Sequence, residues 1–555
     1  MKKILYTALL LLIPSFTWAQ VSKHVEGTKD YKPTVSQAQK LSIIPDMTDT
    51  VTMRPDIDYT ITPRSYETAL MTENFKPATI TYWDYHRARP LYVRAAAGVP
   101  LQSQADVYLS TFNKDKGYAM AYVNHWGDYR NRFNVESIKV EENTTEMSNR
   151  VGGRVGLFVG QRVLEVDLLG DMQQRPRYPS TGELIDFGRM SGKVRFGDDF
   201  KDLRRWNFNI EVGGGMFLDD REENNFNQSN FSAKVALGKM LGRNVLRIHA
   251  SYDGVYGAKG LAEYKNNMIM AGARYGLSSE RFDFLIGADY YYDDVSSSTN
   301  SPHHIFPYLR MTWRNSTDGF VPFIEVDGYM KRNDYASLIY TNPFLAEDGF
   351  ALSQMANESL YNGRIGIGGT LGRGVFSYNL SAELSLADNH AYWYSDINAN
   401  YYYTQAYQHT LRIDGGLMLR PAGWFEAELK AGVYVWENYD DYYSNSPNFD
   451  TSLGLRYLGR KFSAGVTVAY RGGIKWMTAS LIEDVMPVEE RAETPKFGYV
   501  KTDDTFTLGV EAEYCINDRW RVYAEGRNLT GSTVYEWLHY YRNTAEGIVG
   551  VKFSF

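Results

Sequence analysis

Gly550-Val551-Lys552-Phe553-Ser554-Phe555 ends the chain in a strictly alternating segment. Val549, Val551, Phe553 and Phe555 fall on one face of a strand, and Gly550, Lys552 and Ser554 on the other, because strand side chains alternate with a period of two. A lipid-embedded sheet needs that arrangement, apolar outward and free to be polar inward. One such strand also occurs in soluble sheets, so the rest of the sequence decides.

The pattern recurs upstream from about Pro90 in segments of roughly ten residues, the length a tilted strand needs to cross a bilayer. In 425–436, Phe425, Ala427, Leu429, Ala431, Val433 and Val435 oppose Glu426, Glu428, Lys430 and Tyr434. In 505–515, Phe506, Leu508, Val510, Ala512 and Tyr514 oppose Thr505, Thr507, Glu511 and Glu513. Leu164, Val166 and Leu168 alternate with Glu165 and Asp167, and Leu246, Ile248 and Ala250 with Arg247, His249 and Ser251. Charges facing a dry sandwich core would cost several kcal/mol each, whereas a hydrated lumen removes that cost. Glu426, Glu428, Lys430, Glu511 and Glu513 are therefore candidate lumen residues.

Connection lengths give a second, independent sign. Short Gly-, Asn-, Asp- and Pro-containing turns fall at 113–117, 160–162, 197–199, 242–244, 278–280, 315–319, 372–374, 420–423, 459–461 and 517–518. Longer polar connections lie between them, at 124–149, 331–359, 388–403, 438–447 and 472–501. Short periplasmic turns and long extracellular loops are the outer-membrane pattern. The expected fold is all-β, a transmembrane antiparallel β-barrel of about 22 strands, a count at which transporters carry a plugged lumen. It spans residues 90–555.

The other end of the chain carries Lys2 and Lys3, the apolar run Ile4 to Ile13, and Thr17-Trp18-Ala19 before Gln20. We read residues 1–19 as a signal peptide cleaved after Ala19, the apolar run being shorter than the ~20 residues of a membrane helix. Residues 20–89 would form a short periplasmic extension. Mean hydropathy is -0.41, and aromatics are 15% of the chain, with 43 Tyr and 11 Trp. Barrels use such rings as girdles at both lipid interfaces. Cys515 is the single cysteine, which excludes a disulfide framework, and the formal net charge of -7 argues against a nucleic-acid partner.

Two regions resemble a known family. Arg521-Val522-Tyr523-Ala524-Glu525-Gly526-Arg527-Asn528-Leu529-Thr530-Gly531, followed by Tyr535 and Tyr540-Tyr541, resembles the end of TonB-dependent receptor barrels. Asp30-Tyr31-Lys32-Pro33, Ala38-Gln39-Lys40, Pro45, Asp49-Thr50-Val51 and Tyr59-Thr60-Ile61 are similar to the leader region of TonB-receptor-like barrels of Bacteroidota. The resemblance implies outer-membrane location, periplasmic termini, extracellular loops and insertion by the barrel assembly machinery, with Val551, Phe553 and Phe555 as the insertion signal. The sequence departs from the family in one respect. The 70 residues of 20–89 are too few for the family's plug domain, so a plug-less barrel is expected, with TonB an improbable partner. Asp49, Thr50 and Val51 look like a TonB box, or like part of a disordered tether.

No catalytic constellation stands out. His249 near Asp253, and His303-His304 beside Ser301, lack nucleophile or metal spacing, and adjacent histidines on a strand point to opposite faces. The acidic stretches 219–223 and 437–441 offer oxygen ligands for Ca2+, or a solvated charge cluster. Neither an enzyme, nor a metal, nor a cofactor is expected.

Aromatic residues crowd the loops. Trp393, Tyr394, Tyr402, Trp436, Tyr442, Trp476, Trp537 and Tyr540 are candidate ligand or partner contacts, since such rings stack on sugars or peptides and mark interfaces. Girdle and loop packing would use the same residues. The apolar run Met477 to Met486 suggests a short helix folding inward. An open barrel of this width would leak, so the lumen is expected to be obstructed by loops, by residues 20–89, or by a partner.

Two functions follow from this reading. The first is binding or passage of solutes at the cell surface by a receptor-like barrel without its plug. The second is a non-transporting accessory barrel in an outer-membrane assembly or surface-lipoprotein complex, with lipoproteins or other barrels as partners beside outer-membrane lipids.

Overall fold

The computed structural model describes residues 90–555 except 114–115, 130–144, 177–183, 201, 222–224, 280, 296–300, 314–318, 397–398, 439–441, 480–496 and 543. The leader, the 20–89 extension and Asp49-Thr50-Val51 lie outside the described residues.

Every strand of the main sheet pairs antiparallel with its sequence neighbour, from Leu91–Val99 through Phe462–Arg471. Phe462–Arg471 then pairs directly with Thr505–Cys515, which is followed by Trp520–Arg527 and Glu546–Ser554. The last strand returns to the first, Tyr92 opposite Ser554 and Val99 opposite Gly547. The seam is held at its extreme end by Leu91 N–H to Phe555 O at 3.2 Å and Phe555 N–H to Leu91 O at 2.9 Å. Of the 24 strands in this sheet, the hairpin Lys475–Ala479 with Phe497–Lys501 stands outside the ring, leaving a closed antiparallel barrel of 22. Closure leaves no edge, so every backbone donor in the wall can be satisfied without water.

The period-two pattern sorts the side chains as the sequence requires. Val549, Val551 and Phe555 are exposed on the outer face, and so are Leu429, Val433, Val435, Phe506, Val510 and Tyr514. Exposed rings collect at the end of the barrel that holds the short turns: Trp206, Trp313, Trp424, Tyr457, Phe462, Trp520 and Phe555. Tyr290, Tyr361, Phe449, Tyr499 and Phe506 are exposed nearer the other end. An apolar wall bounded by aromatic rings at both ends is a membrane-spanning surface. Phe553 packs on Trp520 at 4.6 Å between ring centroids, and Arg519 sits 4.9 Å over Phe555.

The turn end is built from tight reversals. Gly160, Gly242 and Gly372 have φ of 64°, 67° and 62°, the left-handed region where a side chain would be strained. One connection departs from the expected short turn. After Gly197 the chain takes residues 198–206 to reach Asn207, because Asp198 folds the segment back by accepting from Phe208 N–H at 3.1 Å and Arg205 at 2.9 Å.

At the opposite end, two sequence expectations are corrected. Residues 388–403 are mainly wall, not loop: the strands Phe376–Ser395 and Tyr401–Ala422 continue their ladder past a register shift between Ala387 and His390. Met477 to Ala479 belong to a strand, and the remainder of the expected inward helix lies outside the described residues. The helix that does fold inward is α1, Tyr335–Thr341, in the connection between Val321–Lys331 and Glu358–Leu371. Asp334 caps it, accepting from Ser337 N–H at 2.8 Å while Ser337 Oγ accepts from Asp334 N–H at 2.9 Å.

Candidate functional site

The connection carrying α1 begins and ends at a paired base. Lys331 and Glu358 face each other across adjacent strands, with Lys331 Nζ 2.9 Å and His390 Nδ1 2.6 Å from the buried Glu358 carboxylate. From that base the segment reaches far. Tyr340 donates to Asp171 at 2.9 Å, and its ring meets Phe187 edge-on at 5.4 Å. Tyr335 donates to Asp219 at 2.5 Å and packs on Phe226 at 4.9 Å. Ala336 N–H donates to Gln228 at 3.2 Å, and Arg221 donates to Leu345 O at 2.5 Å. On its other flank, Phe344 stacks on Tyr540 at 3.4 Å and 11°.

These partners fix where the segment lies. Asp171 is on the fifth wall strand, whereas the segment emerges between the thirteenth and fourteenth; Tyr540 precedes the last. At about 4.8 Å per strand, contacts seven or eight strands away in both directions require the segment to cross the lumen. It is a lid, held by tyrosine–carboxylate hydrogen bonds on one wall and aromatic stacking on the other.

The eight aromatic candidates divide. Trp393, Trp476, Trp537 and Tyr540 are 5%, 3%, 9% and 3% exposed and belong to the packed layer that includes Tyr335, Leu338, Ile339, Phe344 and Tyr401. Trp537 contacts Trp393 at 5.7 Å, Trp476 at 6.0 Å and Tyr401 at 5.1 Å, and Tyr401 Oη accepts from Leu538 N–H at 2.8 Å. Tyr394, Tyr402, Trp436 and Tyr442 keep part of their surface. Tyr394 and Tyr402 stack at 5.3 Å, and Trp436 donates to Pro447 O at 3.3 Å. Burial within the layer raises the Tyr335 and Tyr340 hydroxyls above their ordinary range and lowers His539.

The five candidate lumen residues all face inward, and each takes part in an ion pair. Glu426 is 2.7 Å from Arg420 and 3.9 Å from Arg456, whose Nε lies 3.4 Å from Glu511. Glu428 pairs with Lys430 at 2.9 Å, and Glu513 with Lys552 at 2.6 Å and Arg521 at 3.1 Å. The same arrangement continues round the wall in Arg94–Asp106, Arg154–Asp167, Arg274–Asp289 and Arg364–Glu383. A cavity of about 460 Å³ lies against this wall, lined by Arg412, Asp414, Lys430, Tyr434, Asp450 and Tyr535 among others.

The remaining candidates are accounted for by their neighbours. His249 lies 3.0 Å from Asp289, His303 bonds Tyr290 at 2.7 Å, and Asp219 is taken up by Tyr335 and Arg221. Among the described residues no three His, Cys, Asp or Glu side chains converge as metal ligands. Sequence reasoning missed Tyr335 and Tyr340. Asp334 and Ser337 framing apolar positions 335, 338 and 339 is the capping and spacing signal that marks them.

No family model matches the chain, and no curated protein matches it. Solved structures do. The barrel is similar to the copper transporter OprC (12% identity, TM-score 0.62, 84% of this chain and 81% of that one). It is likewise similar to the FrpB iron transporter of Neisseria meningitidis, F5-1 variant (11%, 0.65, 84% and 82%). A third similar structure is the ferripyoverdine receptor of the outer membrane of Pseudomonas aeruginosa (10%, 0.61, 84% and 72%). The fold is thus that of outer-membrane receptor and transporter barrels.

Proposed function

We propose that the chain is an outer-membrane barrel of the TonB-dependent-receptor type that binds or passes solutes at the cell surface, with its own lid standing where that family places a separate plug. The observation that carries this reading is the pairing of a closed, ion-lined lumen with a segment of the same chain laid across one end. In this reading the lid and long connections are extracellular, and the seam at Leu91 and Phe555 is periplasmic. Val551, Phe553 and Phe555 act as the insertion signal read by the assembly machinery. Glu426, Glu428, Lys430, Glu511 and Glu513 brace a hydrated path, and Tyr394, Tyr402, Trp436 and Tyr442 offer ring surface to a ligand or to a surface lipoprotein.

The test is conductance in planar bilayers. The full chain is expected to conduct little, and a variant with residues 334–356 replaced by a short Gly-Ser linker to open in large steps. A lid-replaced barrel that inserts normally and conducts no more than the full chain overturns the reading.

A further inference from the structure

Many cations of the inner wall are held by a carboxylate at 2.5–2.9 Å, as in Arg94–Asp106, Arg154–Asp167, Arg412–Asp414 and Arg420–Glu426. One arc in the turn half gathers several that are not; elsewhere Arg310, opposite Glu325, is another. Arg195, Lys234 and Arg247 face the lumen on the strands Leu184–Gly197, Asn225–Leu241 and Asn244–Lys259, their neighbours Val194, Val235 and Ile248 being exposed on the outer wall. None of the three forms a hydrogen bond or ion pair among the described residues.

The register shows why. Glu211 stands opposite Arg195 on one side and Lys234 on the other, and is also the nearest acid to Lys193, at 3.9 Å. One carboxylate therefore serves three cations. Arg247 is opposite Arg274, whose charge is already committed to Asp289 at 2.5 Å. On the other neighbouring strand Glu165 stands opposite Arg195 and Asp167 opposite Lys193, but Arg154 engages both carboxylates and Tyr118 also holds Glu165. The arc thus carries uncompensated positive charge on a low-dielectric wall, where a field acts more strongly than in bulk water. Lys193 keeps 44% of its side chain exposed, so the charge is open to the lumen.

We propose that Lys193, Arg195, Lys234 and Arg247 form an anion-recognition site, taking solutes that carry phosphate or several carboxylates. Arg195 and Arg247 supply paired donors, Lys193 and Lys234 point charges. Glu211 keeps affinity low enough for release. The site rests on the reading of the lumen as a solute path, but binding does not require that path to be open.

The experiment is therefore a calorimetric titration of the detergent-solubilised full chain with inorganic pyrophosphate. Saturable binding is expected, weakened by about tenfold or more when Lys193, Arg195, Lys234 and Arg247 are changed to Gln. It should also weaken as salt rises to about 1 M, where screening acts within ~3 Å. Glu211→Gln should bind pyrophosphate more tightly than the native chain, an outcome that misfolding would not produce. Arg527→Gln, on the strand Trp520–Arg527 and paired with Glu525 at 2.6 Å, should leave binding unchanged. No saturable binding by the native chain, or equal binding by the fourfold variant, overturns the proposal. A lid-replaced barrel that stays closed while the full chain still binds pyrophosphate would count against the passage reading alone.

Discussion

In the turn half of the lumen, Glu426 lies between Arg420 and Arg456, and the Arg456 side chain is 53% exposed. In the loop half, Trp537 touches three other aromatic rings and is 9% exposed. One wall supports both interiors, because the alternation fixes only which residues face inward and leaves their chemistry free. Where inward residues are charged they pair and stay hydrated. Where they are aromatic they need a second surface to bury against, and the lid supplies it.

The contrast is broken most severely by emptying the aromatic side. Trp537→Ala removes the ring that joins Trp393, Trp476 and Tyr401, and a Trp truncation in a packed layer costs about 3–5 kcal/mol. That loss falls on a local layer and leaves the backbone ladder of the barrel intact. Hydrogen exchange should therefore accelerate across 333–357 while the wall strands stay protected. Equal acceleration throughout would show the lid and wall to be one cooperative unit.

A smaller effect is expected at the lid's polar clasp. Tyr335→Phe leaves Asp219 without the hydroxyl that donates to it, and a buried acceptor losing one partner costs about 1–3 kcal/mol. Asp219 retains Arg221 at 2.9 Å, which places the cost toward the lower bound. Limited proteolysis between residues 335 and 357 should quicken, and Trp537→Ala should quicken it more.

How much of this was legible in the sequence follows the same division. The wall was readable because a period of two needs no partner to show itself: Leu429 beside Lys430, or Ile248 beside Arg247, states its own face. The lid was not, because Tyr335 and Trp537 are buried by partners more than a hundred residues away, Asp219 for the first and Trp393 and Tyr401 for the second. The aromatics at 393, 476, 537 and 540 read equally as ligand platforms or as loop packing, and the structure buries them in one packed layer with the lid. The clue was present in Asp334 and Ser337, a helix start within a connection too long for a simple loop.

On the hydrated side, effects on stability should be small and effects on the permeating field larger. Glu426→Gln weakens the half-buried pair with Arg420 and the more exposed one with Arg456; the Gln amide oxygen still accepts from Arg420, so the loss stays near the ~1 kcal/mol upper end for exposed pairs. Thermal unfolding should hardly move. In the lid-replaced barrel, however, the reversal potential in a salt gradient should shift toward anion preference, since Arg420 loses its carboxylate and Arg456 keeps only Glu511. A clear drop in melting temperature would mean that this wall is dry and packed like the other.

The smallest effect sharpens the boundary between the two regions. His539 sits between Leu538 and Tyr540, with Nε2 buried and without a hydrogen-bond partner in the described structure. Burial holds it below the ordinary histidine value, with Asp396 opposing that shift. The folded layer thus takes up a proton less readily than the unfolded chain. Linkage then makes the layer less stable as pH falls below about 6.5, and fully stable above it. Exchange in 333–357 should quicken on mild acidification in the native chain. In His539→Gln, which cannot charge, it should lose that pH step while the response of the wall carboxylates remains. If the step survives the substitution, the acid response of the lid belongs to its tyrosine–carboxylate clasp and not to the aromatic layer.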